Sequence, residues 1–380
     1  MTTARTRLNA LSLPAFTTAH SHAFQRALRG KTQRPGPASQ DDFWTWREAM
    51  YRLVEDLTPE SVEAISRAAF EELYRAGVRT VGEFHYVHHA PGGVPYADPN
   101  ELAHRVIRAA LDSGLRITLL RSIYERAGFG RVIARGQDRF VDRSLDASLR
   151  AVRDLKKTYE NDRRVTIGLA PHSTRAVAPS SWKEILAFAN AHAMPVHAHV
   201  AEQPREIDEC VAETGKRPLE LLADEGAISP RFVVVHGTHL LDHEAAMLGA
   251  ERAFVCMCPT TERDLGDGLP NLGALRAAGV RLCTGIDSHV VCDPFEEMRG
   301  LEVHERLRTR KRIAAARAGH PAADLWASAS TEGAAACGFL GDHPALSVRT
   351  DDSFFDFVDV GDELDALVFS GSRALDGLLR

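Results

Sequence analysis

Short apolar runs alternate with amphipathic segments along most of the chain. Several of the apolar runs contain almost no polar residue, which is typical of strands buried on both faces of a sheet. The eight predicted strands are residues 14–19, 78–84, 116–123, 165–170, 195–199, 232–236, 253–257 and 281–286. The segments between them predict helices, one of which covers residues 59–76 with Thr58 as its N-cap. Strands that alternate with helices favour a parallel sheet, and eight such units predict a (β/α)8 TIM-like barrel.

The composition narrows the class of protein. A hydrophobic share of 44% is enough for a large core, and the net charge of −6 argues against a nucleic-acid partner, which usually requires a basic surface. The sequence shows no apolar leader and no apolar run long enough to cross a bilayer. Its six cysteines lack CxxC spacing, which favours reduced, buried thiols. We therefore expect a cytoplasmic protein that binds neither nucleic acid nor membranes.

Polar, titratable residues follow nearly every predicted strand, which packing alone would not require. In a (β/α)8 barrel, catalytic groups come from the C-terminal ends of several strands, so these residues are expected to lie around one site. They are His20, His22, Glu83, His85, Tyr124, His172, His197, His199, Glu202, His236, Glu262 and Asp287.

The HxH pattern at the end of the first strand points to a metal site. Residues two apart on a strand face the same side, so His20 and His22 can reach one ion. His199 and Asp287 would complete a set of three nitrogens and one oxygen, which suits one Zn²⁺ ion, with Fe²⁺ or Mn²⁺ also tolerated. Such an ion lowers the pKa of a bound water molecule and so provides a nucleophile near neutral pH.

Other residues near these ligands could move protons. Asp287 could accept a proton from the water, Glu202 could pass it to a leaving group, and His236 could orient the water. Two points stay open. His197 is either a core residue or a neighbour of the metal ligands. The cluster of residues 85, 88 and 89 is either a second metal site or a solvated loop.

The order of these residues resembles the amidohydrolase superfamily, in which HxH, two further histidines and an aspartate lie on successive barrel strands. The fourth predicted strand and the residues after it, VTIGLAPHS, contain no lysine, whereas members with two metals often use a lysine there. The resemblance therefore implies the deaminase-like subtype with one metal, in which the glutamate at the position of Glu202 moves protons.

Longer motifs resemble the formimidoylglutamate deiminases of histidine degradation, over roughly residues 12–312. These motifs are HSHAFQRA at 20–27, FWTWR at 43–47, EFHYVHH at 83–89, APHS at 170–173, HVAEQ at 199–203, CPTTE at 258–262 and LGDG at 265–268. The resemblance implies hydrolysis of N-formimidoyl-L-glutamate to N-formyl-L-glutamate and ammonia, by attack of a metal-bound hydroxide on the formimidoyl carbon.

The resemblance also implies roles for individual residues. The metal ligands would be His20, His22, His199 and Asp287, and the acid–base and orienting groups would be Glu202, His236 and Asp287. The residues that contact the substrate would be Gln25, Arg47, Tyr86, His172 and Arg175. Two arginines suit a small anionic dicarboxylate, because each guanidinium can pair with a carboxylate through two hydrogen bonds. A homodimer is the candidate assembly.

The chain ends differ from those of this family, whose members carry a longer N-terminal segment that joins the C-terminal segment in a small β-sandwich. We expect a short N-terminal segment at 1–11, the barrel with C-terminal helices at 12–345, and a remnant of sandwich strands at 346–380, with strand-like stretches at 355–360 and 366–369. The sandwich is thus reduced or absent. Two alternative functions remain: a deaminase for another amidine, a guanidine or an aminated heterocycle, and a catalytically silent binding protein.

Overall fold

Eight parallel strands form the centre of the molecule. The structure is a computed structural model, and it describes residues 10–34, 41–133, 136–314, 320–341 and 343–372. These eight strands lie in one sheet in sequential order, each parallel to the next. The first and last of these strands meet, because the N–H of His22 donates to the carbonyl of Asp287 (3.0 Å) and the N–H of Asp287 donates to the carbonyl of His20 (3.1 Å). The predicted (β/α)8 barrel is confirmed.

The elements have the following bounds. The strands are β1 Ala10–Pro14, β2 Phe16–Ser21, β3 Val78–His85, β4 Arg116–Ile123, β5 Val165–Pro171, β6 Val196–Val200, β7 Phe232–His236, β8 Phe254–Met257, β9 Arg281–Thr284 and β10 Ala345–Arg349. The helices of the described residues are α1 Phe43–Glu55, α2 Pro59–Arg75, α3 Glu101–Asp112, α4 Leu145–Thr158, α5 Pro179–Ala191, α6 Pro204–Thr214, α7 Pro218–Asp224, α8 Asp242–Ala250, α9 Pro259–Leu265, α10 Leu272–Ala277, α11 Pro294–Thr309, α12 Pro321–Ser328, α13 Thr331–Ala336 and α14 Glu363–Ser370.

Local sequence explains much of this arrangement. Thr58 caps α2 as predicted, since its hydroxyl accepts from the N–H of Ser61 and the Ser61 hydroxyl accepts from the N–H of Thr58. Along β6 and β7 every residue is buried, as the apolar runs indicated. None of the described helices has both the length and the apolar character that a membrane span requires.

The segments near the chain ends agree with a reduced sandwich but differ from the predicted strands at 355–360 and 366–369. Strand β1 pairs with β10 in an antiparallel two-stranded sheet outside the barrel. The stretch at 366–369, predicted as a strand, lies in helix α14, and the stretch at 355–360 begins at a short 3-10 turn, Ser353–Phe355, and contains no strand. A short apolar run fits either structure, and here Leu367 and Val368 are buried as parts of a helix that packs on α11 and α12. Residues 1–9 and 373–380 of the predicted end segments lie outside the described residues.

The buried cysteines and His197 have structural positions away from the strand C-termini. The six cysteines are all free and buried, as predicted. At the end of the barrel opposite the strand C-termini, His197 donates from Nε2 to the carbonyl of Ala336, the last residue of α13 (3.0 Å). His197 therefore joins a barrel strand to the helix that closes this end.

Gly285 packs closely against β2, so even a methyl group at this position should destabilise the fold. A methyl group on Gly285 would lie 2.8 Å from Cβ of His20 and 2.9 Å from the His20 carbonyl oxygen. We expect Gly285→Ala to lower the free energy of unfolding by about 1–3 kcal/mol, because neither neighbour can move without disturbing the barrel. Urea denaturation measures this loss.

The control is Gly128→Ala, since the nearest atom to its added methyl group would be 3.5 Å away. Equal urea midpoints for the two variants would contradict the predicted strain at Gly285.

Candidate active site

A cavity opens at the C-terminal ends of the strands. The residues to which the sequence assigned a metal-binding, catalytic or substrate-binding role all line it except His20, whose ring centroid lies 4.6 Å from that of His22. Tyr124 also lines it as expected, whereas Glu83, His85, His197 and Glu262, expected around the same site, do not. The lining further includes side chains that the sequence did not single out, among them Phe43, Trp46, Tyr51 and Phe140. The barrel thus brings together residues from most of its strands, as well as from helix α1.

Three histidines and an aspartate converge at the base of this cavity. Nε2 of His22 lies 3.4 Å from Nε2 of His199. Asp287 Oδ1 lies 3.5 Å from Nε2 of His20 and 3.6 Å from Nε2 of His22. All four side chains are buried, and ligand atoms of the three histidines lie within 4.8 Å of one another.

The hydrogen bonds of the rings direct their lone pairs to one point. Nδ1 of His22 donates to the carbonyl of Phe84 (2.8 Å), and Nδ1 of His199 donates to the carbonyl of His172 (3.1 Å). Each bond leaves the Nε2 lone pair free to face the other ligands. Both ring nitrogens of His20 are buried without a hydrogen-bond partner.

The protonation states of these four side chains also suit metal binding. Burial lowers the pKa of His20 and of His22, the latter to about 3, and burial together with His172 holds the pKa of His199 well below its ordinary value. Burial would raise the pKa of Asp287, but the neighbouring imidazoles lower it. Neutral imidazoles beside an ionised carboxylate form a donor set that fits a divalent cation such as Zn²⁺.

The backbone at the strand ends is held in a conformation that non-glycine residues rarely adopt. His236, Asp287 and His289 have φ angles of 68°, 52° and 57°. Such strain costs free energy and persists only where surrounding contacts fix it. Here the Ser21 hydroxyl donates to Glu83 (2.6 Å) and accepts from Nε2 of His289 (2.8 Å), which ties the first strand to the loop of Asp287.

His236 lies among carboxylates. Its Nδ1 donates to Glu262 (3.3 Å), and its Nε2 lies 3.5 Å from Glu202 and 3.6 Å from Asp287. Burial alone would lower the pKa of His236, but these carboxylates raise it to about 10. These carboxylates favour the protonated, cationic form of His236, whereas burial raises the pKa of Glu202.

Two carboxylates of this cluster received no role from the sequence. Glu262 orients His236 and also accepts from the N–H of Cys258 (2.8 Å). Asp267 has an oxygen within 4.8 Å of ligand atoms of Glu202 and His236, and burial together with Glu202 raises its pKa to about 9. Both residues lie in motifs noted in the sequence, but their spacing along the chain does not reveal that they meet at His236.

Cationic and hydrogen-bonding groups occupy the opposite wall. The Arg47 guanidinium stacks on Trp44 at 4.5 Å from the ring centroid, and Nε of Arg47 has no hydrogen-bond partner. Arg175 lies 3.6 Å from Glu202, and its Nε is also without a partner. Gln25 donates to the hydroxyl of Tyr86 (2.8 Å), and burial together with Arg175 holds the pKa of His172 well below its ordinary value.

The other histidines serve different contacts. His88 donates to the carbonyl of Ser122 (3.0 Å), and His89 lies 3.3 Å from Asp142, which pairs with the buried Arg121. Among the described residues, the sets of side chains that could hold a metal do not include His85, His88 and His89 together. This cluster therefore belongs to a buried ion-pair network rather than to a solvated loop.

Comparisons with known proteins agree with this geometry. The family model described as "Amidohydrolase family" matches residues 11–342. A formimidoylglutamate deiminase of Pseudomonas aeruginosa is 43% identical over 307 residues, which are 80% of this chain and 67% of that protein. A 5-methylthioadenosine/S-adenosylhomocysteine deaminase of Halobacterium salinarum is 28% identical over 91% of this chain and 73% of its own length. The resemblance predicted from the motifs is confirmed.

Solved structures show the same fold. An amidohydrolase from Brucella melitensis superposes with a TM-score of 0.86 at 34% identity, over 97% of this chain and 84% of that one. An adenosine deaminase from Xanthomonas campestris, solved with bound zinc, superposes with a TM-score of 0.79 at 22% identity, over 98% of this chain and 78% of that one. The chain belongs to the amidohydrolase family, as a hydrolase of the deaminase type.

Proposed function

We propose that the protein hydrolyses N-formimidoyl-L-glutamate to N-formyl-L-glutamate and ammonia. The main observation is that one cavity contains both a donor set for a metal and two arginines with unpartnered nitrogens. The 43% identity to a formimidoylglutamate deiminase supports the same substrate.

One divalent ion, most simply Zn²⁺, would be held by His20, His22, His199 and Asp287. When bound, such an ion acts as a Lewis acid and lowers the pKa of water toward neutrality. The unpartnered nitrogens of His20 and the facing Nε2 atoms of His22 and His199 support this assignment.

Glu202 would transfer protons during the reaction, and His236 would stabilise the negative charge that develops. In the overall reaction, water adds a C–O bond to the formimidoyl carbon, and the bond from that carbon to its terminal nitrogen breaks. Glu202 can carry the two protons that the water loses, one after the other, to this nitrogen, which leaves as ammonia. The cationic His236, 3.5 Å from Glu202, would orient the water and stabilise the negative charge that develops during attack.

The far wall would bind the rest of the substrate. Arg47 and Arg175 provide two positive charges for two carboxylates, and Gln25, Tyr86 and His172 add polar contacts. A neutral heterocycle would leave the half-buried Arg47 without an anionic partner in the cavity, and Arg175 would keep only its contact with Glu202 at 3.6 Å. The arginines therefore favour a dicarboxylate over the heterocycles of other deaminases.

Metal analysis and an ammonia-release assay test the proposal. We expect about one divalent ion per chain and turnover of N-formimidoyl-L-glutamate, with activity lost on chelation and restored by Zn²⁺. A metal-loaded protein that releases ammonia only from an aminated heterocycle would contradict the substrate. One that releases ammonia from neither compound would favour a binding protein.

If Glu202 transfers protons, its substitution should lower kcat without loss of the metal. Glu202→Gln keeps the shape of the side chain but cannot take up the proton, so kcat should fall about 10²- to 10⁴-fold while metal content stays unchanged. Steady-state kinetics and metal analysis on the same sample measure both effects. Glu209→Gln is the matched control, because Glu209 pairs with Arg205 on the outer surface of α6 (2.8 Å). Wild-type kcat in Glu202→Gln would exclude this proton transfer.

Removal of the Arg47 charge should weaken substrate binding. In Arg47→Met we expect KM to rise about 10- to 100-fold, because a hydrogen bond to a charged group is lost from a buried site. The control is Arg205→Met, since Arg205 stacks on the same Trp44 ring, at 4.4 Å, but does not line the cavity. Equal KM values for the two variants would remove Arg47 from the substrate site.

A further inference from the structure

Two tyrosines line the cavity beside the arginines, and neither has a role in the proposed reaction so far. Tyr51 lies on α1, and Tyr124 follows directly after β4. Both are almost fully buried, at 8% and 6% exposed. Their hydroxyl groups meet at Gln137, whose Nε2 donates to Tyr51 Oη (3.0 Å) and to Tyr124 Oη (2.8 Å).

The hydroxyl groups of Tyr51 and Tyr124 can donate a further hydrogen bond. A phenol hydroxyl has one proton to donate and lone pairs that accept. Gln137 fills an acceptor position on each oxygen, and the two hydroxyls also interact with each other. That mutual contact takes up at most one of the two protons. Among the described residues, the other proton has no acceptor.

The surroundings favour an anion as the missing acceptor. The charges of Arg47 and Arg175 both act on Tyr124, and the Arg47 guanidinium carbon lies 5.5 Å from the centroid of the Tyr51 ring. Nε of each arginine is unpartnered. This end of the cavity therefore presents donors whose combined capacity suits a carboxylate.

The rings are fixed in place. Phe140 packs against both tyrosines, with centroid distances of 6.1 Å to Tyr51 and 5.5 Å to Tyr124, and the edge of His172 lies against Tyr124 at 5.0 Å. Gln137 is 1% exposed. A ligand would meet a preorganised donor, which binds at low entropic cost.

We propose that Tyr51 and Tyr124, aligned by Gln137, donate a hydrogen bond to one carboxylate of the substrate and so help to select a dicarboxylate. This inference rests on the proposed function, since it assigns two further specificity-determining residues to the same cavity. Tyr124 follows a strand, and Tyr51 comes from a helix outside the barrel, so the two form one donor group only in the folded protein.

Kinetics of Tyr51→Phe, Tyr124→Phe and the double variant test the inference with N-formimidoyl-L-glutamate. We expect at least one single variant and the double variant to raise KM about 10- to 100-fold, with kcat within about threefold of wild type. Gln137→Glu should also raise KM, because a carboxylate at this position would itself accept the phenol protons. Tyr159→Phe is the control, since its hydroxyl pairs with His104 outside the cavity (2.8 Å).

Substrates that lack one carboxyl group show whether the tyrosines contact a carboxylate directly or whether their substitution only deforms the cavity. N-formimidoyl-4-aminobutyrate and N-formimidoyl-L-2-aminobutyrate each lack one carboxyl group of the full substrate. For the compound without the contacted carboxylate, wild type and double variant should have the same KM. Unchanged KM in all tyrosine variants of an active enzyme would overturn the inference, as would an equal rise for every substrate. Failure of the wild type to turn over N-formimidoyl-L-glutamate would instead contradict the proposed function.

Discussion

The convergence of three buried, neutral imidazoles on one buried aspartate is the interaction on which the rest of the site depends. Burial lowers the pKa of His20, His22 and His199, which favours neutral imidazoles that can each offer a lone pair to a cation. Such an arrangement is costly unless a cation is shared among the ligands. Asp287 has a φ of 52°, which is unfavourable for a non-glycine residue, and the hydrogen bond between Ser21 and His289 helps to hold its loop in this conformation.

Charge is divided between the two sides of the cavity. On one side, carboxylates surround His236 and raise its pKa, so a cation is fixed next to Glu202. On the other side, Arg47 and Arg175 face the cavity with unpartnered nitrogens, beside the hydroxyls of Tyr51 and Tyr124. The first side suits proton transfer and the second suits an anion. A substrate that carries an amidine at one end and carboxylates at the other fits both.

The Arg175–Glu202 contact, at 3.6 Å, connects the two sides. Glu202 and Glu206 raise the pKa of Arg175 against the effect of its burial, so the guanidinium stays charged next to the group that moves the proton. A carboxylate bound at Arg175 would compete with Glu202 for the same charge. Under the proposed function, substrate binding would therefore be coupled to the protonation of Glu202 through one arginine.

The sequence by itself determined the barrel and the metal-binding pattern, because apolar runs and the residues that follow them are local features. The convergence of His20, His22, His199 and Asp287 could be predicted, since strand ends of a parallel barrel meet at one face. Only the tertiary structure decided that Glu262 and Asp267 meet at His236, that residues 366–369 form a helix, and that Tyr51 from α1 joins Tyr124 through Gln137. These features depend on contacts between segments distant in sequence, which a local pattern does not encode.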